Sequence, residues 1–92
     1  MTTPAEKLAR IAPSPLGLAW LGLPCAASAR IAALAGFRAA VIDREHGAIG
    51  VETAAAMTLA LAAEGRAAFV RVPALERGAV QQALDAGAAG VV

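Results

Sequence analysis

The 92-residue chain holds one cysteine, one histidine, no tyrosine, two phenylalanines and one tryptophan. A lone cysteine, Cys25, excludes an intrachain disulfide and a cysteine-built zinc cluster. Its neighbours are Pro24 and alanines, so it reads as a small, buried or half-buried apolar side chain rather than an activated thiol. An excess of one charge is missing too. Eight basic and seven acidic side chains leave a net charge of +1, and no basic run offers a footing for nucleic acid. No uninterrupted apolar stretch approaches the roughly 20 residues that a bilayer span requires. The opening "MTTPAEKLARIAPSPLGLAWLGLPCAASA" imitates a secretory leader, with Lys7 and Arg10 ahead of an apolar middle and Ala27-Ser28-Ala29 as a cleavage site. Pro13, Pro15, Gly17, Gly22 and Pro24 break that middle, and Glu6 opposes the positive region. The expected location is the cytoplasm, with which the cysteine count is compatible.

Apolar residues dominate instead. They make up 59% of the chain against 16% charged residues, a balance that favours a packed core over disorder. The length suits one domain or part of a larger one. "PAEKLARIA" (4–12) is expected to be a short helix, with Thr3 as N-cap and Pro4 at the first helical position. "LGLAWLGL" (16–23) reads as a buried strand. "AASARIAALAG" (26–36) reads as a helix with Ile31, Leu34 and Ala35 on one face and Gly36 as its stop. A strand (38–43), a loop, a helix (51–65), a strand (67–72), a helix (78–87) and a last strand (88–92) follow.

Three segments, "LAGFRAAVID", "AEGRAAFVRV" and "DAGAAGVV", share one plan: helix end, glycine, a short link, then an apolar run. Strands alternating with helices at this spacing imply a parallel sheet, because parallel neighbours need a crossover. The strands lack polar alternation, as expected where both faces are covered. A doubly wound sheet and a (β/α)8 barrel both begin this way, and a barrel needs about 250 residues. The pattern of elements alone does not choose between them.

In either architecture, function sits at the carboxyl ends of the strands. Asp43, Glu45 and His46 follow the second strand, and Arg71 closes the third. Adjacent parallel strands lie about 4.8 Å apart, so these groups can face one pocket. A histidine and an arginine converging there suit an anionic substrate and a proton transfer. Asp43, three residues before His46, is placed to hold one imidazole nitrogen and fix its tautomer. The plainer alternatives stay open: a solvated loop histidine, and an ordinary salt bridge at strand ends. "DREH" contains metal-ligand residue types, but one tight loop does not complete a coordination sphere and no second cluster exists. "GAIG" lacks both the Walker lysine and the G-x-G-x-x-G spacing of phosphate loops.

"GLAWLGL", then "AALAGFRAAVIDREHGAIGVET", then "FVRVPALERGAVQQALDAGAAGVV" resembles the HpcH/HpaI aldolase family over roughly residues 16 to 92. The ordered pair "ID-x-EHG" and "VRVP" carries the likeness. The resemblance implies an α/β fold, the N-terminal part of a (β/α)8 TIM barrel with about four parallel strands. Residues 1–15 would be an N-terminal helix and lead-in, and 16–92 strands one to four with their helices. It implies a lyase that cleaves or forms 4-hydroxy-2-oxo acids, giving pyruvate and an aldehyde. His46 would move the proton of the substrate hydroxyl with Asp43 as its partner. Arg71 would bind the pyruvate moiety and its enolate charge, and Trp20 would wall the pocket, an ordinary core tryptophan being the alternative. The family's divalent metal (magnesium, manganese or cobalt) is held by a glutamate and an aspartate beyond residue 92, so this chain is expected not to hold it alone. Arg44 stands where many members carry a small or apolar residue, which leaves the aldehyde open. A homo-oligomer is expected for the intact enzyme, and the 92-residue chain is expected to be truncated and inactive by itself. The alternatives are a non-catalytic βα fragment and a binding module for an anionic metabolite.

Overall fold

A computed structural model describes residues 17–92. The helix expected over 4–12 lies outside the described residues. The elements run β1 (Ala19–Leu21), α1 (Ala26–Leu34), β2 (Ala39–Asp43), α2 (Val51–Ala63), β3 (Ala67–Arg71), α3 (Arg77–Asp85) and β4 (Gly90–Val91). All strand pairs are parallel, and the sheet order is the chain order, β1-β2-β3-β4. Right-handed crossovers between successive neighbours deliver every helix to the same side of such a sheet. A doubly wound sheet would reverse its strand order instead. No reversal occurs among the described strands, so they form a singly wound arc.

The repeated glycine has one job. Gly36 adopts φ 105° just past α1, a left-handed conformation costly for any side chain. Its N–H bonds Ala33 O at 3.1 Å, and the N–H of Phe37 bonds Ala32 O at 3.3 Å. These are the paired bonds of a Schellman stop, which satisfy carbonyls the helix leaves open. The same pair recurs at Gly65 and Gly87. Each helix therefore ends in one geometry, and the next strand starts from a standard direction.

The core lies between sheet and helices. Ala40, Ile42, Ala68 and Val70 face it from the strands, and Ala29, Ala33, Met57, Leu61 and Ala83 from the helices. The largest fully buried side chains of this core are Ile42, Met57 and Leu61, with Thr58 beside them; Val41 is equally buried but on the other face of the sheet. Thr58 satisfies its hydroxyl by donating to Ala54 O at 2.8 Å.

The last strand, expected over 88–92, shortens to Gly90–Val91, and two further expectations change. β1 is only three residues long, not eight, and it is not buried throughout. Leu21 is in the core, but Leu18, Trp20 and Leu23 are exposed, because Gly22 and Pro24 end the strand early and β1 is an edge among the described strands. α1 buries Ala29, Ala32 and Ala33, while Ile31 and Leu34 are 66% and 65% exposed. An alanine face lets α1 approach the sheet and α2 closely, and the branched side chains are turned out of that narrow space. Among the described residues no helix is long and apolar enough to cross a membrane.

Candidate active site

Side chains alternate along a strand, so the residues between the core positions point to the opposite face. Register sets Trp20, Val41, Phe69 and Gly90 in one row across that face. Asp43 and Arg71 pair directly in the next row, at the carboxyl ends of β2 and β3. Phe69 lies over Gly90, where an added Cβ would come within 3.1 Å of the ring.

Asp43 accepts five N–H donors. Its Oδ1 takes the backbone N–H of Glu45 at 2.9 Å, that of His46 at 3.0 Å and Arg71 Nε at 3.0 Å. Its Oδ2 takes Arg71 Nη2 at 2.6 Å and Trp20 Nε1 at 3.1 Å. The two backbone bonds form an Asx-type turn that starts the loop. Arg71 is the largest influence holding the carboxyl well below the usual carboxylate range, followed by the His46 N–H; burial opposes them, and Trp20 and the Glu45 N–H assist. The same pairing raises Arg71 above its ordinary value. Asp43 therefore stays ionised and is an anchor.

The loop returns over the end of β2. A Cβ on Gly47 would overlap the Asp43 carbonyl oxygen and lie 3.4 Å from Gly22, so only glycine fits without displacing backbone. That is the physical content of the glycine in "EHG".

Arg71 is the hub. Besides Asp43, its Nη2 lies 2.8 Å from His46 Nδ1 and its Nη1 3.4 Å from Glu45 Oε1. Its guanidinium carbon stands 5.0 Å from the centre of the Trp20 ring, within cation–π range. An arginine only donates hydrogen bonds. His46 Nδ1 must then offer its lone pair, and a neutral ring carries its hydrogen on Nε2.

The structure thus brings together all four residues singled out from sequence: Trp20, Asp43, His46 and Arg71. Their connections differ from the expected ones. Asp43 holds the backbone of His46 and not its ring; the imidazole rests on Arg71, because the tight turn aims the His46 N–H at Asp43. Trp20, expected only as a wall of the pocket, instead donates its indole N–H to the Asp43 carboxylate. Glu45, expected at the same strand ends, faces Arg71 as well; which acid would take which donor was not legible in the sequence. Arg44 leaves the site: its backbone N–H bonds Arg71 O at 2.9 Å and its Nε bonds Ile49 O at 3.3 Å. Its side chain lines a cavity of about 230 Å³ on the helix side, together with Val51, Ala54, Thr58, Val70 and Ala83.

Among the described residues no group of three histidine, cysteine or acidic side chains could hold a metal ion. Both oxygens of Asp43 are taken by N–H donors, which leaves Glu45 and His46 short of a coordination sphere. These residues do not fit a metal site.

The family model for HpcH/HpaI aldolase/citrate lyase matches residues 17–92. A 4-hydroxy-4-methyl-2-oxoglutarate aldolase, cghB, of Chaetomium globosum is 45% identical over 64 residues, 68% of this chain and 24% of that protein. An HpcH/HpaI aldolase/citrate lyase family protein from Burkholderia cenocepacia superposes with a TM-score of 0.79 at 35% identity, over 98% of this chain and 36% of its own. The citrate synthase SbnG superposes with a TM-score of 0.80 at 29% identity, over 91% of this chain and 35% of its own. The chain thus spans about a quarter of the curated relative and about a third of these structures. The four-stranded arc is a portion of a TIM-barrel-type α/β fold.

Proposed function

Because the chain belongs to the HpcH/HpaI aldolase/citrate lyase family, we propose that it supplies the carboxylate-binding and proton-transfer corner of a carbon–carbon lyase site. The reaction is the cleavage or formation of 4-hydroxy-2-oxo acids. Aldol cleavage takes the proton from the C4 hydroxyl, breaks the C3–C4 bond and releases an aldehyde. The electron pair stays in a pyruvate enolate, which then takes a proton at C3.

One observation carries this reading: an ionised aspartate clamps Arg71 with two bonds while the only imidazole of the chain rests on the same guanidinium. Such a fixed fork matches the planar edge of a carboxylate or enolate and stabilises charge developing there. His46 is the proton carrier. Its Nδ1 lone pair faces Arg71, so an anion that draws Nη2 off the ring frees that nitrogen for the hydroxyl proton. Substrate arrival and base activation are then one event. Trp20 and Asp43 keep the guanidinium in place through both steps.

The divalent metal implied by the resemblance (magnesium, manganese or cobalt) is a proposal for the complete barrel. The described residues do not fit it, and no step above passes through it. Pyruvate and an aldehyde as small-molecule partners, a homo-oligomeric assembly and a cytoplasmic location belong to the same proposal.

Oxalate, a planar analogue of the pyruvate enolate, tests the binding half. Titrated into the chain and followed by NMR, it is expected to shift the Trp20 indole and Arg71 signals, and Arg71→Ala is expected to abolish the shifts. In a barrel polypeptide carrying these residues, His46→Ala and Arg71→Ala are each expected to slow retro-aldol pyruvate release by at least about a hundredfold. Near-wild-type rates in either variant overturn the assigned roles. Binding without turnover is the second reading, favoured by the 72% exposure of the His46 side chain, a wet position for a base. Oxalate binding with no pyruvate release from the same polypeptide selects it.

A further inference from the structure

We propose that Glu45 is the counter-ion an incoming carboxylate must displace from Arg71, and that this competition sets the affinity of the site for 2-oxo acids. The inference rests on the reading above, in which Arg71 takes the carboxylate of the substrate.

Arg71 has five N–H donors to distribute. Nε and one hydrogen of Nη2 go to Asp43, and the second hydrogen of Nη2 meets His46 Nδ1. Only Nη1 remains, and it faces Glu45 Oε1 at 3.4 Å. The same oxygen lies 3.7 Å from His46 Nδ1. Glu45 thus stands in front of the outer edge of the guanidinium, beside the imidazole, in the place a substrate carboxylate arriving at Arg71 would take.

The two acids on Arg71 differ in how firmly they are held. The Asp43 side chain is 7% exposed and keeps five N–H donors, so nothing from solvent dislodges it. The Glu45 side chain is 42% exposed, and its contact with Arg71 is longer than a good charge-assisted hydrogen bond. Its backbone N–H is pinned to Asp43 Oδ1 at 2.9 Å, which fixes where the side chain begins and keeps its carboxylate within reach of Arg71. One acid is structural, and the other is exchangeable. An anion arriving from water replaces the exchangeable one, and Glu45 swings out to solvent.

The test measures oxalate affinity by calorimetric titration of the 92-residue chain at fixed ionic strength. Glu45→Gln removes the competing charge. Glu45→Asp keeps the charge but withdraws it by one methylene. Each is expected to lower the oxalate Kd about two- to fivefold, the scale of a partly exposed ion pair. Glu52→Gln, which removes an equal charge from the first turn of α2, is expected to leave Kd unchanged. A gain in affinity separates this role from a merely structural one, since a damaged loop binds less. An unchanged or higher Kd in Glu45→Gln overturns the proposal. Tightening in Glu45→Gln without tightening in Glu45→Asp also overturns it, because the effect would then be net charge and not displacement. Arg71→Ala separates the two levels. Unchanged oxalate binding in Arg71→Ala, or none in the wild type, removes the reading beneath the proposal. Loss of binding in Arg71→Ala with an unaltered Kd in Glu45→Gln removes the proposal alone.

Discussion

Asp43 converts a local turn into a site. Its carboxylate joins the end of β2 to the loop through the Glu45 and His46 N–H groups, to β3 through Arg71 and to β1 through Trp20. Those donors favour the charged form, so its folded pKa lies below the value of about 3.9 for an unfolded aspartate. For a carboxyl depressed in this way, the stabilisation is complete above the unfolded value and is lost as pH falls through the folded one. The chain should therefore lose thermal stability as the pH drops below about 5. Asp43→Asn should be less stable at neutral pH and show a shallower decline on the acid side. Melting curves between neutral pH and the acid limb, recorded for both proteins, check this. An equally steep decline in the variant would place the acid sensitivity elsewhere. Asp43, His46 and Arg71 were legible as neighbours because strand ends gather on one side of a parallel sheet. Their bonding was not, since a shift of one rotamer decides whether a carboxylate meets an imidazole or a backbone N–H.

Among the helices, α1 shows how pattern and packing part. Apolar spacing groups Ile31, Leu34 and Ala35, and the structure turns all three to solvent. A stripe of Ala29, Ala32 and Ala33 occupies the inner face, where alanine permits a close approach that larger side chains would prevent. Replacing both Ile31 and Leu34 by glutamine should consequently change stability by no more than about 0.5 kcal/mol per site, as for other exposed positions. Leu61→Ala, by contrast, should cost about 2–5 kcal/mol, because Leu61 is 1% exposed in the core. Urea denaturation of the three proteins measures both effects. A large loss from the α1 pair would mean that this face is covered by something in solution. Helix existence and ends were readable, since Gly36, Gly65 and Gly87 mark them chemically. Which face turned inward was not readable, because a helix made mostly of alanine offers several equivalent apolar faces.

At the scale of the whole chain, β2 and β3 are flanked on both sides and β1 and β4 form the edges of the described sheet. β2 is buried at all five positions, whereas β4 is half-buried. Local opening follows burial and bonded neighbours. Amide hydrogen exchange should be slowest at Val41, Ile42 and Val70 and faster at Trp20 and Val91, and exchange at equal rates would argue against this order of strands in solution. The singly wound order also explains the site. Parallel strands in chain order bring the ends of β2 and β3 side by side, so residues 28 positions apart in sequence form a two-bond ion pair.

By itself, the sequence determined the alternation of strand and helix, the stops between them and the residue types at the strand ends. These follow from short-range chemistry: glycine at a left-handed stop, β-branched runs in strands, polar groups where an apolar run closes. Tertiary structure alone decided three further matters. It set the helix face that packs, the bonding of His46 to Arg71 in place of Asp43, and the position of Glu45 against the guanidinium. Each depends on a balance between groups distant in the chain that compete for the same donor or the same space, and no local pattern encodes the winner.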